Sequence, residues 1–449
     1  MKTSGVEGRR KAVHIGMAGF ALFLPALGWK GSAAAAAVAF AFNLVILPRL
    51  AGRSLSRESD AGSRVPLGIL LYPVTVLLLI LLFRERLELA AAGWAFLAFG
   101  DGMATIAGQA AAGGLPWNPR KSAAGMVAYV VAGGVGAALL YRWVAGRALS
   151  RTEFAAILLG ALAGAVLESL PSELDDNLLP PIGGALVTAL FVAALPGAGG
   201  FFHQAGFLRW ALLALAVNTV LPLLAVLLRA VRPSGALAGG LYGTLILTFG
   251  GWRAYALLWA FFAAGTVATR FGRKRKEALG KAEEAGGRRG AANVAANVTV
   301  PLVLFAAAAF AGEGRLAACC QLAAAAALAT ALMDTIGTEV GQAVGGATFL
   351  LPDLKAVPPG TDGAVSLAGT VAGLLAADAV GLLFVVLYGA PFAAAVAIAA
   401  AACFGTIVES LLGRAGARWR VSNGHVLNLT NTAAGAGLAW VLAARPFAS

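Results

Sequence analysis

About fifteen apolar segments, each near the length of a bilayer crossing, follow one another along this 449-residue chain. They run 11–28, 31–48, 65–83, 87–110, 123–144, 153–170, 180–196, 207–228, 235–251, 252–269, 293–312, 315–333, 364–388, 391–412 and 424–443. A spanning helix needs about 20 apolar residues. Hydrophobic residues make up 59% of the chain and charged ones 12%, more apolar surface than a water-soluble fold can hide. Lipid offers no partner to an open backbone, so each segment must satisfy its own amides as a helix. The expected fold is an all-α polytopic integral membrane protein of about 15 transmembrane helices. The 58 glycines suit close helix–helix approach in lipid. The first apolar run lacks a convincing cleavage site and reads as a retained helix. Cys319, Cys320 and Cys403 form no CxxC pattern and read as small apolar residues.

The apolar text also repeats a polar sentence. Asp101 is followed seven residues later by Gly108-Gln109-Ala110, and Asp334 likewise by Gly341-Gln342-Ala343. A glycine pair follows each, Gly113-Gly114 and Gly345-Gly346. Downstream come Glu168-Ser169-Leu170 in one half and Glu409-Ser410-Leu411 in the other, each leading to an Asn-bearing stretch. Two related halves, 1–200 and 201–449, are therefore expected, each with its own polar site.

The net charge of +13 gathers in loops at 1–11, 49–64 and 270–289. Positive loops stay in the cytoplasm. With the N-terminus inside, counting segments places all three basic loops inside, together with Asp101, Lys121, Glu168, Asn177, Asp334, Asp362, Glu409 and Asn423. Both halves then share one orientation, making the repeat parallel, with sites facing the cytoplasm. The loop at 142–151, with Arg142, Arg147 and Arg151, falls outside and is the local violation. Topology and anionic lipid account for part of the basic charge, and phosphate binding is the competing reading for 270–289. Nucleic acid is not an expected partner, because no aromatic interleaving accompanies the cations.

Several residues of the first half carry chemistry. Arg10, Lys11 and His14 cluster at a helix start and suit a polyphosphate. Asp101 lies at membrane depth, where an ionisable group is costly and by default functional. Pro116 and Pro119 mark a loop, after which Arg120, Lys121 and Ser122 open a helix whose N-terminus suits phosphate. No Walker A motif is present, since Arg120 precedes Lys121. Glu168, Asp175, Asp176 and Asn177 offer the hard oxygen ligands that Mg²⁺ prefers when it bridges nucleotide phosphates.

These residues resemble the CTP-dependent polyprenol kinases, which include dolichol kinase and phytol kinase. The likeness rests on E-x-x-R-K-x-x-H-I-G at 7–16, G-D-G-x-A-x-x-x-G at 100–108, N-P-R-K-S-x-x-G at 118–125 and E-S-L…D-N-L-x-x-P at 168–181. It implies that Asp101, Lys121, Glu168, Asp176 and Asn177 form a nucleotide and metal site, with Asn118, Arg120 and Ser122 on the phosphates. A weaker likeness extends to CDP-diacylglycerol synthases.

In the second half, Gly360, Gly363 and the amides near Ser366 offer a phosphate cradle at a helix start. Lys is absent where Lys121 would stand, and Lys355 and the loop arginines are expected to compensate. This half is similar to the membrane family that contains plant phytyl-phosphate kinase. The shared elements are A-T-R…K-R-K at 268–276, G-G-R-R-G…N-V-A-A-N at 286–297, D-x-x-x-x-E-x-G from Asp334, G-T-D-G-x-V-S-x-x-G-T at 360–370, E-S-L-L-G from Glu409 and N-x-x-x-N. The likeness implies roles for Asp334, Glu339 and Glu409 in catalysis, Asp334 and Asp362 on metal, and Arg270, Arg288, Arg289, Asn293, Asn297, Thr361, Asn423 and Asn428 on phosphate. Thr335 to Gly337 depart from its usual aromatic-small run, and Glu409 stands where Asp is commoner.

The combined expectation is a fused isoprenoid kinase. The first half would phosphorylate a phytol-like alcohol with CTP, and the second would convert the monophosphate to the diphosphate, both with Mg²⁺. The rival readings are a cytidylyltransferase making a CDP-activated lipid and a transporter. Asp378 near mid-membrane fits the transporter, but the other polar groups cluster at one face rather than the midplane.

Overall fold

A computed structural model describes residues 11–47, 49, 67–115, 117–170, 176–227, 233–272, 290–358, 361, 363–419 and 424–444. The chain divides into two units, Met1–Leu195 and Pro196–Ser449. The first consists of α1 (Lys11–Val45), α2 (Gly68–Leu82), α3 (Leu87–Ala110), α4 (Ala123–Ala145), α5 (Arg151–Ser169) and α6 (Leu179–Ala194). The second consists of α7 (Phe207–Leu227), α8 (Pro233–Arg270), α9 (Ala291–Ala311), α10 (Arg315–Val344), α11 (Leu367–Tyr388), α12 (Phe392–Trp419) and α13 (Gly424–Ala444).

Among the described residues, twelve helices are long and apolar enough to cross a membrane, and Gly68–Leu82 is a shorter apolar one. Two of the twelve are broken in the middle. Gly28 (φ 60°, ψ −177°) interrupts α1 and Gly251 (φ 68°, ψ −169°) interrupts α8, in a region essentially only glycine occupies. Dividing these two at their glycines, and adding the shorter helix, recovers the expected fifteen segments. The glycine in α8 turns the chain back on itself: Gly243, before it, packs against Tyr255, after it.

Local chemistry sets the helix ends. Ser150 and Glu153 close a capping box at the start of α5. Gly146 ends α4 and Gly389 ends α11 in the left-handed conformation. The loop at 142–151, expected outside from segment counting, is tied down here. Arg147 holds the Glu153 carboxylate with both guanidinium arms, at 2.9 and 2.5 Å, and Tyr141 donates to the same carboxylate at 3.0 Å. One of its three arginines therefore has a structural partner.

In unit 1 the most enclosed layer is the run Leu89–Ala98 of α3, which packs with α4 and α6. In unit 2 it is the alanine-rich middle of α10, residues 322–332, surrounded by α9, α11, α12 and α13. The segment between α10 and α11 contains a small antiparallel sheet. Its strands are β1 (Thr348–Leu350), β2 (Lys355–Val357) and β3 (Ala364–Ser366), in the order β2-β1-β3. Three-residue strands are too short to show an alternating pattern, so hydropathy had no signal to give.

Candidate functional site

In unit 1, α3 does not run straight to Asp101. A π-helical turn at Phe96–Gly100 precedes it, and a second at Tyr129–Gly133 interrupts α4. Such widened turns recur at functional sites because they re-aim the residues beside them. The two meet at glycines: a Cβ on Gly133 would lie 3.2 Å from the Gly100 Cα. Asp101, the first residue after the π-turn, is almost fully enclosed.

Two ion-paired groups converge there. Lys11 donates to Asp101 Oδ2 at 2.7 Å, and His14 Nε2 lies 3.1 Å from the same oxygen and 2.8 Å from Leu97 O. The Tyr72 ring stands edge-on to the His14 imidazole at 4.8 Å, and its hydroxyl donates to His14 O. Lys121 forms the second group, donating to Glu168 Oε1 at 2.5 Å and to Asp176 Oδ2 at 2.7 Å. Burial by itself would lower the lysine's affinity for its proton. The Glu168 and Asp176 carboxylates outweigh it and raise the Lys121 pKa above the ordinary lysine value.

Carboxylate oxygens of Asp101, Glu168 and Asp176 lie within 4.8 Å of one another. Among the described residues, Glu168 Oε2 and the Tyr129 hydroxyl are buried without a hydrogen-bond partner. Three hard oxygen donors, one with an unused buried oxygen, fit Mg²⁺. Asp101, Glu168 and Asp176 are the residues that would hold it.

Other predicted residues of this half sit around that core in different roles. Asn118 is a loop clasp. Its amide donates to Ser169 O and Leu170 O, and its side-chain oxygen accepts from the Arg120 amide. Ser122 caps α4 by accepting from Gly125 N at 3.1 Å. Asn177 ties its segment to α2, donating to Gly68 O while its carbonyl accepts from Thr75. Arg120 is exposed beside Lys121.

Unit 2 repeats three contacts of this scaffold. Ser366 caps α11 by accepting from Gly369 N at 3.1 Å, as Ser122 does in α4. Gly125 packs on the carbonyl three residues after Asp101, and Gly369 packs on the carbonyl three residues after Asp334. The glycine seven residues after each acid, Gly108 or Gly341, faces the capping serine. Sheet strand β3 delivers Ser366 to its place. The Asp334 and Glu409 side chains lie close to each other, and the buried Asn431 amide donates to Glu409 Oε2. Asn431 Oδ1 has no partner among the described residues. Glu339 is buried on the same helix as Asp334.

The halves differ in charge. Aligned on their serines, Val365 stands where unit 1 has Lys121. Arg414, on α12, is bound to the Asp353 carboxylate and to Leu351 O. That pairing lowers the Asp353 pKa, chiefly through the hydrogen bond from Arg414. Gly363, with φ 76°, lies against Ser410 O and the Arg414 amide, so it permits close backbone approach to α12 instead of presenting an open amide cradle. The Thr361 hydroxyl closes a local turn on Pro358 O. Arg270 and Lys355 are exposed, Asn293 lies in the first turn of α9, and Asn297 is buried one turn later. Asn428 sits one turn before Thr432, which donates to its carbonyl. Arg10, Arg288, Arg289, Gly360, Asp362 and Asn423 lie outside the described residues.

Sequence reasoning missed Tyr129 and Asn431. A tyrosine one turn after Gly125 and a second asparagine three residues after Asn428 were the available signals.

Among the described residues, twelve apolar helices long enough to cross a bilayer, with buried carboxylates and cations among them, define a polytopic α-helical membrane protein. The chain belongs to the family described as integral membrane protein DUF92, which it matches over residues 216–441. It is 37% identical over 198 residues to an uncharacterized membrane protein of Synechocystis, an alignment covering 44% of this chain and 76% of that one. It is 38% identical over 157 residues to the chloroplastic protein VTE6 of Arabidopsis thaliana, covering 34% of this chain and 46% of the plant protein, less than half its length. An uncharacterized membrane protein of Methanocaldococcus jannaschii is 28% identical over 207 residues, covering 46% of this chain and 83% of that protein. No solved structure matches the chain.

Proposed function

We propose that the protein is a two-step isoprenoid kinase. Unit 1 phosphorylates a phytol-like prenyl alcohol with CTP, and unit 2 phosphorylates the resulting monophosphate to the diphosphate. The observation that carries this reading is Lys121 bridging Glu168 and Asp176 beside Asp101, on a scaffold that recurs around Asp334 and Glu409. Membership in the same family as the second half's resemblance, and relation to the plant chloroplastic protein, support the second step.

Phosphoryl transfer asks a protein mainly for positioning and charge neutralisation. Mg²⁺, when bound by Asp101, Glu168 and Asp176, supplies charge neutralisation on the donor phosphates. Lys121 holds a permanent ammonium at the mouth of the carboxylate cluster, where it swings between its acids and a nucleotide phosphate. Lys11 and His14 keep Asp101 oriented. When Lys121 turns to the nucleotide phosphate, the Glu168 Oε1 it releases would accept a hydrogen bond from the substrate hydroxyl. Unit 2 needs less base chemistry, because its acceptor is already an anionic phosphate. There Asn431 orients Glu409, and the loop arginines hold the acceptor. Both sites are taken to face the cytoplasm, where nucleotides are abundant.

The test is product analysis. Purified protein is incubated with prenyl alcohols or prenyl monophosphates, Mg²⁺ and each nucleoside triphosphate, and products are identified by mass spectrometry. Prenyl mono- and diphosphate with CDP are the expected products. Release of pyrophosphate with a CDP-lipid would replace the reading by cytidylyl transfer, and absence of nucleotide turnover would reject it.

A further inference from the structure

Unit 2 holds a mostly apolar cavity between α7, both limbs of α8 and the start of α9. Its walls include Pro222, Leu258, Trp259, Phe262 and Val298, none of which the acid site uses. One wall includes Gly235, Gly239 and Gly243, four residues apart on α8, with Ala236 and Tyr242 beside them. Eight residues of helix rise about 12 Å, which sets the depth of the cavity along that wall.

The glycines are not equivalent. A Cβ on Gly243 would strike the Asn218 side chain, so that glycine is required for packing. A Cβ on Gly239 meets no atom within 4 Å, so the missing side chain there leaves open space.

The two ends of the cavity also differ. The inner end closes on Tyr255, whose hydroxyl donates to Asn218 Oδ1 at 2.9 Å, while the Asn218 amide donates to Ala214 O at 3.0 Å. These polar groups are satisfied by each other and ask nothing of a ligand. The outer end lies at Gly235 and Asn293, near the starts of α8 and α9. Because α8 turns back at Gly251, its last residue, Arg270, comes to that same end. The α9 helix starts there at Gly290, with no side-chain cap among the described residues, and a helix start carries partial positive charge.

An apolar shaft with its polar groups paired at one end, and with Arg270 and a helix start toward the other, fits one class of molecule, a single hydrocarbon chain with an anionic head. We infer that this cavity binds the chain of a prenyl monophosphate, with its phosphate toward the α8 and α9 ends. The choice of prenyl monophosphate rests on the proposed second step; the cavity and its polarity do not.

The test uses Gly239→Leu in the full chain, reconstituted in phosphatidylcholine nanodiscs. Leucine fills open space without meeting the backbone and improves helix propensity, so the thermal midpoint is expected to stay at the wild-type value. The probe is a prenyl monophosphate with a photoreactive group near the end of its chain, applied without nucleotide. Wild-type protein is expected to label within residues 218–262, and Gly239→Leu to lose that labelling about tenfold, equivalent to about 1.4 kcal/mol. The KM for prenyl monophosphate should rise by a similar factor with the nucleotide KM unchanged. Unlabelled prenyl monophosphate should compete, and phosphatidylglycerol should not. Equal competition by phosphatidylglycerol would assign the cavity to bulk lipid and overturn the inference. So would unchanged labelling or an unchanged KM in Gly239→Leu, even with kinase activity intact. Labelling that is lost in the variant while no nucleotide is ever turned over would keep the cavity and reject the kinase.

Discussion

Replacing Lys121 with methionine is the most informative single perturbation. Methionine keeps much of the side chain's length and removes its charge. The ammonium makes two hydrogen bonds to carboxylates, at 2.5 and 2.7 Å, with the lysine side chain 27% exposed and that of Glu168 6% exposed. Hydrogen bonds to charged groups contribute about 1.5–3 kcal/mol each. The partial exposure of Lys121 and of Asp176 puts the pair near the lower end, about 3 kcal/mol in all, which matches the about 3–5 kcal/mol for breaking one side of a buried pair. Loss of one charge-stabilising donor also removes about 2.7–4 kcal/mol of transition-state stabilisation. The alcohol-kinase rate should therefore fall by roughly two to three powers of ten, since each 1.36 kcal/mol is about tenfold. Lys121→Arg should restore part of the rate, because a planar fork replaces a compact ammonium imperfectly. The sign of the pH effect follows from the raised lysine pKa. A raised folded-state value means the pairing is complete below the unfolded lysine pKa and is lost only as pH rises through the folded value. Between about pH 6 and 9 the Lys121 contribution should be flat. The assay is steady-state kinetics with varied CTP at several pH values, with thermal melting of each variant alongside. Near wild-type rates and melting for both substitutions would refute the reasoning and leave Lys121 a topology charge.

Other expectations concern the division of labour and the packing. Asp101→Ala should abolish phosphorylation of the alcohol and spare that of supplied monophosphate, and Asp334→Ala should do the reverse. Loss of both steps in either correctly inserted variant would point to one composite site. Asn431→Leu removes the buried amide bound to Glu409 and should cost about 1–3 kcal/mol of stability together with much of the second step. An unchanged melt and rate would remove Asn431 from the site. Single cysteines in the loops at 49–64 and 270–289 should resist impermeant thiol reagents in intact cells, and external labelling of the 270–289 loop would reject the shared cytoplasmic face.

Much of this protein is determined by its sequence alone, because lipid imposes a strict rule. Apolar segments of the right length must become helices, so the spans were legible, including the pairs that meet at the breaks at Gly28 and Gly251. The repeated acids were legible for a similar reason, since a carboxylate in an apolar run stands out. Partners across long separations were not legible. Lys11 meets Asp101 across 90 positions and Asn118 clasps the end of α5 across 51, contacts that depend on how each helix is rotated and packed. The same rotation turns Asn431 toward Glu409, though sequence favoured Asn423 and Asn428. Only tertiary packing decided that Gly363 serves close approach to α12, that Gly243 makes room for Asn218, and that Gly239 faces empty space. A glycine reads the same in every sequence, and its purpose lies in whatever stands opposite the side chain it lacks.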